Sequence, residues 1–304
     1  MSSMTAAQWH GVFPAITTPF LADGTVDHGF LAAHARRFLA SGCTGVVALG
    51  SLGEGATLTF DEKVEVLRTL VASVGDRIPV VAGISALSTG EAVSLARAAA
   101  GAGCHGLMVL PPYVYIGDWP EMRAHVSAII TATPLSCMLY NNPIAYGTDF
   151  VPEHVRQLCE HPNLHAIKDS SGDVRRITAL RALLGDRLAL FVGLDDVVVE
   201  GVMAGARGWV AGLVNALPDE SVLLFEHAAA GRVAEARALY DWFLPLLRMD
   251  TVPKFVQLIK LVQQEVGLGH ERVRAPRRAI EGAEREMAMA IIGQALASKP
   301  VVAS

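Results

Sequence analysis

The chain has few of the features that mark metal, redox, membrane or nucleic-acid proteins. Its four cysteines, Cys43, Cys104, Cys137 and Cys159, are scattered and form no CxxC, so neither a zinc ribbon nor a disulfide framework is expected. They read as reduced, small apolar residues of a cytoplasmic protein. No apolar run reaches membrane-spanning length, because Gly, Asp, Glu or Arg interrupts each one, and no membrane partner is expected. The opening Met1-Ser2-Ser3-Met4-Thr5-Ala6-Ala7-Gln8 lacks a basic stretch followed by an apolar core, so no secretory signal is expected. Charged residues make up 18% of the chain, the formal net charge is −5, and no basic stripe invites a nucleic acid. No GxGxxG opens the first helical segment, which weighs against a dinucleotide cofactor. Of the ten histidines, His28, His34, His125, His154 and His161 fall on helical segments or outer loops and His105 precedes a strand. No metal cluster is therefore expected.

What is present is apolar bulk with a repeating order. The 304 residues are 52% hydrophobic, enough for one large core. One phrase occurs three times: Ser41-Gly42-Cys43-Thr44-Gly45, Ala102-Gly103-Cys104-His105-Gly106 and Ala204-Gly205-Ala206-Arg207-Gly208. Each closes a helical pattern on a glycine and leads into a short all-apolar strand. Strands apolar on both faces belong to a parallel sheet covered by helices. Eight such strands are predicted, near residues 12–16, 46–49, 80–83, 107–110, 135–140, 164–168, 188–192 and 209–213, with helical segments such as 61–73 and 89–100 between them. That count points to a (β/α)8 TIM barrel, with a doubly wound open sheet as the alternative. Residues 1–225 are assigned to the barrel. Residues 226–304 are assigned to a C-terminal extension of two or three helices packed on it, not a separate domain.

In such a barrel the chemistry collects at the C-terminal ends of the strands. Lys168 ends the sixth strand and is followed by Asp169-Ser170-Ser171-Gly172-Asp173. A lysine there points its amine into a site. Withdrawal from water disfavours an ammonium, and a neutral amine can attack a ketone to form a Schiff base. The plainer reading is a lysine snorkelling to solvent. The other strand ends decide against that reading. They carry Gly50-Ser51-Leu52-Gly53-Glu54, Pro111-Pro112-Tyr113, Tyr140-Asn141-Asn142-Pro143, Gly193-Leu194-Asp195-Asp196 and Gly212-Leu213-Val214-Asn215.

Read in order, the G-[ST]-x-G-E loop at residues 50–54, the Y-N-x-P at 140–143 and Lys168 resemble the N-acetylneuraminate lyase and dihydrodipicolinate synthase family of class I Schiff-base aldolases. The likeness runs from Gly11-Val12-Phe13-Pro14-Ala15-Ile16-Thr17-Thr18-Pro19-Phe20 to the C-terminal helices. The resemblance implies a lyase without cofactor or metal, acting on pyruvate or a longer 2-oxo acid, with Lys168 as nucleophile and Tyr140 as general acid/base. It implies that Ser51 relays protons to Tyr140. It also implies that Tyr113, with Tyr115 as the competing choice, reaches into a neighbouring subunit of a homotetramer. Gly50, Ser51 and Leu52 would cradle the substrate carboxylate on backbone N–H groups. Leu52 replaces a hydroxyl residue common among relatives, so the side-chain part of that contact is missing. Gly193, Asp195, Asp196 and Val210 would line the rest of the substrate site, the two aspartates accepting from substrate hydroxyls. The reading without function is that either aspartate caps the next helix.

Two positions bear on the substrate. Synthases of the lysine pathway resemble this chain but carry an arginine two residues after the Y-N-x-P proline, where this chain has Ala145. That disfavours 4-hydroxy-tetrahydrodipicolinate synthase. Gly212 stands where neuraminate lyases have a serine, so sialic acid is not favoured either. The expectation is a 2-keto-3-deoxy sugar acid or a hydroxy-2-oxo acid, with cleavage, condensation and dehydration all open. The competing classes are a non-catalytic barrel, opposed by intact Lys168, Tyr140 and Ser51, and a metal-dependent barrel aldolase, opposed by the scattered histidines.

Overall fold

The computed structural model describes residues 3–300. Eight parallel strands form the sheet: β1 Gly11–Pro14, β2 Val46–Ala48, β3 Val80–Ile84, β4 Gly106–Val109, β5 Ser136–Asn141, β6 Leu164–Asp169, β7 Ala189–Val192 and β8 Gly208–Ala211. Every one falls on a predicted segment. Their hydrogen-bonded order is β1-β8-β7-β6-β5-β4-β3-β2. The ring closes where Ala15 bridges Val47, with Ile16 N–H donating to Val47 O at 2.9 Å. The predicted barrel is what forms.

The helices are α1 His28–Ala40, α2 Phe60–Val74, α3 Thr89–Gly101, α4 Trp119–Ile130, α5 Pro143–Tyr146, α6 Pro152–Leu158, α7 Arg175–Leu184, α8 Val198–Met203, α9 Pro218–Ala229, α10 Val233–Leu247, α11 Phe255–Glu265 and α12 Gly282–Ala297. Their starts are written locally. Thr59 and Glu62 form a capping box on α2, and Asp118 and Glu121 form one on α4, satisfying N–H groups the first turn leaves unpaired. The 225/226 division falls inside α9. The helices beyond it are α10, α11 and α12, with Trp242 of α10 donating to Ala295 O at 2.9 Å.

The thrice-repeated phrase has two physical jobs. Its first glycines, Gly42, Gly103 and Gly205, sit at φ of 89°, 90° and 110°, where a side chain is strained and glycine is not. Its second glycines make room. A Cβ at Gly45 would lie 2.1 Å from the Phe13 ring, and one at Gly208 would lie 2.2 Å from the Phe191 ring. Those rings meet edge-on at 5.5 Å, and Trp9 stacks on Phe13 at 5.7 Å. The N-terminal end of the barrel is thereby filled with aromatic side chains.

Strand alternation sorts the rest. Val47, Val81, Met108, Met138, Ala166 and Val210 belong to the interior cluster, while Val46, Val80, Leu107, Leu139, Ile167 and Leu190 face the helices. At the C-terminal end the inward positions turn polar, and there the site lies.

His34 on α1 is buried between Phe30 and Phe38 and meets Gln263 at 3.3 Å. Burial depresses its pKa from 6.5 to about 4. Below pH 6.5 the unfolded chain binds a proton that the folded chain refuses. Stability therefore falls as pH drops from 6.5 and levels near pH 4, by about 3 kcal/mol in all. Denaturant titrations from pH 7 to 4 should show this slope in the native protein and a flatter one in His34→Gln.

Candidate active site

Lys168 and Tyr140 are partners in the β5–β6 register, so both side chains point the same way from neighbouring strands. They are 6% and 5% exposed. Lys168 Nζ lies 4.3 Å from the centroid of the Tyr140 ring. One residue on, Asn141 and Asp169 are also paired, and they lock the strand ends. Asn141 Nδ2 donates to Asp169 Oδ2 at 2.9 Å and to Asp149 at 3.1 Å, while its Oδ1 accepts from Phe150 N at 2.8 Å. Asn142 Nδ2 donates to the Tyr140 hydroxyl at 2.8 Å. The Y-N-x-P motif thus fixes its own tyrosine.

The loop after β2 is strained and tied down. Leu49 and Glu54 sit at φ of 65° and 53°, a region costly for residues with a Cβ. A Cβ at Gly55 would lie 2.2 Å from Leu49 O, so only glycine fits there. Glu54 is fully buried and binds Lys260 of α11 at 2.6 Å. Its other oxygen accepts from Arg274 N at 3.0 Å. Lys260 also donates to Thr18 O at 2.8 Å and Arg272 O at 2.7 Å. Burial lowers the Lys260 pKa, against the pull of Glu54. Gly50 and Ser51 face the site, and among the described residues neither the Ser51 nor the Leu52 N–H is given to a backbone carbonyl. The Leu52 side chain packs on Val256 and Ile259. Any contact it makes with a substrate is through its backbone.

The ends of β7 and β8 correct one expectation. Asp195 offers nothing to a substrate hydroxyl, nor does it cap α8. It is wholly buried. Its oxygens accept from Trp209 Nε1 at 2.9 Å, Gly212 N at 3.0 Å and Leu213 N at 2.7 Å. It clamps β7 to the turn after β8. Burial raises its pKa to about 6 despite these donors. Asp250, which sequence reasoning missed, lies over the same turn. A Cβ at Gly212 would come within 2.3 Å of its Oδ1, so the serine of neuraminate lyases has no room. Burial and then the Asp195 charge push the Asp250 carboxyl well above the usual range. Its three N–H donors make Asp195 the better-stabilised carboxylate of the two. Asp196 is half-buried, its carboxyl raised by burial. Val210 points inward beside Tyr140 and Phe191.

Gly193 makes space for the lysine, since a Cβ there would lie 2.7 Å from Lys168 Cε and 2.0 Å from Ser170 Oγ. Ser170 is 1% exposed, and its hydroxyl has no partner among the described residues. A buried orphan hydroxyl costs about 1–3 kcal/mol, and it stands beside the amine.

Tyr113 folds back over its own barrel. Its ring lies 5.6 Å from that of Tyr146 of the same chain, tilted by 36°. Burial raises its pKa. Tyr115 points outward and donates to Glu121 at 2.9 Å. Ser51 Oγ is hydrogen-bonded to the hydroxyl of Tyr146, a residue sequence reasoning passed over. Ala145, beside it, is exposed. Among the described residues no group of three or more His, Cys, Asp or Glu is arranged to hold a metal ion, and no helix is long and apolar enough to cross a membrane.

A buried lysine and tyrosine are thus paired at the C-terminal end of a (β/α)8 barrel. The profile of the Dihydrodipicolinate synthetase family matches residues 8–295. The 4-hydroxy-tetrahydrodipicolinate synthase of Haloarcula marismortui is 32% identical over 274 residues, covering 90% of this chain and 89% of that one. Among solved structures, a dihydrodipicolinate synthase from Bacillus anthracis superposes with a TM-score of 0.90 at 28% identity, over 96% of this chain and 99% of that one. The chloride-inhibited dihydrodipicolinate synthase of Acinetobacter baumannii, complexed with pyruvate, gives 0.88 at 30% identity, over 94% and 98%. The chain belongs to the dihydrodipicolinate synthetase family. It is a class I, Schiff-base-forming lyase.

The Glu54–Lys260 pair carries a direct test. Lys260→Met leaves the buried Glu54 carboxylate with only the more distant Arg277, at 3.7 Å, and breaking such a buried pair costs about 3–5 kcal/mol. The Glu54→Gln/Lys260→Met double variant removes the buried charge and should recover part of that loss. Denaturant midpoints of the three proteins decide it.

Proposed function

We propose that Lys168 forms an imine with the C2 carbonyl of pyruvate or a longer 2-oxo acid. The observation that carries this is the buried Lys168–Tyr140 pair, with Nζ 4.3 Å from the ring centroid. Nζ attacks C2, and Tyr140 protonates the carbinolamine hydroxyl, which leaves as water. The protonated imine then draws in the electron pair of the C3–C4 bond. Tyr140 takes the C4 hydroxyl proton as an aldehyde departs, or returns it in condensation. The substrate carboxylate lies on the Ser51 and Leu52 N–H groups. Gly193 and Val210 line the acyl end, and Asp196 the mouth. The enzyme is proposed to be cytoplasmic and to assemble as a homotetramer, a dimer of dimers, which sedimentation checks.

The proposed substrate class is a 2-keto-3-deoxy sugar acid or a short hydroxy-2-oxo acid. Ala145 offers no cation to a second carboxylate, a contact worth about 1.5–3 kcal/mol. The orphan Ser170 hydroxyl beside Lys168 suits a substrate bearing hydroxyls. The relatives' name, 4-hydroxy-tetrahydrodipicolinate synthase, marks the competing reading.

Pyruvate with borohydride should add reduced pyruvate at Lys168, seen by intact mass and peptide mapping, and Lys168→Ala should abolish it. Labelling elsewhere, or none with any 2-oxo acid, rejects the Schiff base here. Tyr140→Phe should lower turnover by roughly 10²–10⁴-fold while trapping persists. Side-by-side turnover should favour 2-keto-3-deoxy acids, and efficient condensation of pyruvate with aspartate semialdehyde would select the competing reading.

A further inference from the structure

We infer that Tyr146 is the group with which Ser51 exchanges its proton, so that the hydroxyl relay behind Tyr140 is completed within one chain. The inference rests on the Schiff-base reading above and adds a positioning residue to it. Four observations converge on Tyr146. Its hydroxyl is hydrogen-bonded to Ser51 Oγ. Its ring meets Tyr140 edge-on, with centroids 5.9 Å apart and an interplanar angle of 81°. Its ring also lies 5.6 Å from that of Tyr113, tilted by 36°. And one residue, Asn142, holds both phenols in place. Its Nδ2 donates to the Tyr140 hydroxyl at 2.8 Å, while its Oδ1 accepts from Ala145 N at 3.0 Å and its backbone O accepts from Tyr146 N at 3.0 Å. The turn that carries Tyr146 is thus built on the side chain that orients Tyr140.

The surroundings suit a relay. Burial, then the neighbouring phenols, raise the Tyr146 pKa. The group stays a neutral phenol, able to donate one hydrogen bond while accepting another. Val114, at φ 71° and 94% exposed, turns the chain so that Tyr113 falls inward and Tyr115 outward. When Tyr140 gives its proton to the leaving hydroxyl, Ser51 replaces it and Tyr146 replaces that of Ser51. One proton moves along the row, each hydroxyl ends as it began, and solvent refills the last. No side chain from a second subunit enters this sequence.

Exchange of pyruvate C3 protons in D2O reports enamine formation and needs no second substrate, so it is the assay. Tyr146→Phe should slow exchange by about 10–10²-fold with little change in the KM for pyruvate. Ser51→Ala combined with Tyr146→Phe should lose no more than Ser51→Ala alone, because both break one relay. Borohydride trapping at Lys168 should persist in all three, which shows them folded and able to form the imine. Exchange at the native rate in Tyr146→Phe, or losses that multiply in the double variant, would overturn the inference. Co-expressed Lys168→Ala and Tyr146→Phe chains should exchange no faster than the Tyr146→Phe fraction alone. Recovery there would place the tyrosine's action across an interface and overturn it too. If the native enzyme traps no 2-oxo acid at Lys168, the Schiff-base reading fails first, and the relay with it.

Discussion

The buried ion pair of Glu54 and Lys260 is the constraint on which the site depends. The loop after β2 holds two side-chain-bearing residues in left-handed backbone and would relax if free. Glu54 prevents this by facing inward to a cation from α11, some two hundred residues away in sequence. Lys260 in turn satisfies the carbonyls of Thr18 and Arg272, so three loops share one ammonium. Such a pair adds little net stability over apolar packing. What it contributes is position. Ser51, three residues from Glu54, is held where it meets Tyr146. The C-terminal helices are therefore part of how the site is built.

A second constraint is the division of the barrel interior. Trp9, Phe13 and Phe191 fill the N-terminal end, and glycines at 45 and 208 admit the two phenylalanines. None of these three rings titrates. The inward positions at the other end are Lys168, Tyr140 and the backbone of Gly193 and Gly212. Glycine does the same work at both ends. At Gly193 it admits the lysine methylenes, and at Gly212 it admits Asp250. The amine consequently lies beside a phenol and near two buried carboxyls.

Four of this site's residues act through others. Asn142 fixes Tyr140 and the turn bearing Tyr146. Asp195 holds the turn after β8 without facing substrate. Asn141 and Asp169 seal β5 to β6. A polar residue at a strand end serves as readily to knit the rim as to touch a ligand, and an aspartate in a Gly-x-Asp-Asp run gives no sign of which.

The sequence by itself determined the barrel and its two central groups. Eight apolar segments at near-regular spacing, each introduced by a glycine that can end a helix, allow few other arrangements, because an all-apolar strand must be covered on both faces. Lys168 and Tyr140 were legible because strand-end position is a local property and alternation fixes the face. Only the tertiary structure decided the rest. The roles of Asp195, Asp250 and Lys260 depend on partners 12 to 242 residues distant, and no spacing rule records such distances. The inward turn of Tyr113 depends on a left-handed Val114 that its residue type disfavours. Tyr146 was hidden for a similar reason. It lies three residues past a proline, in a single turn of helix, and it meets Ser51 because the loops after β2 and β5 meet above the barrel.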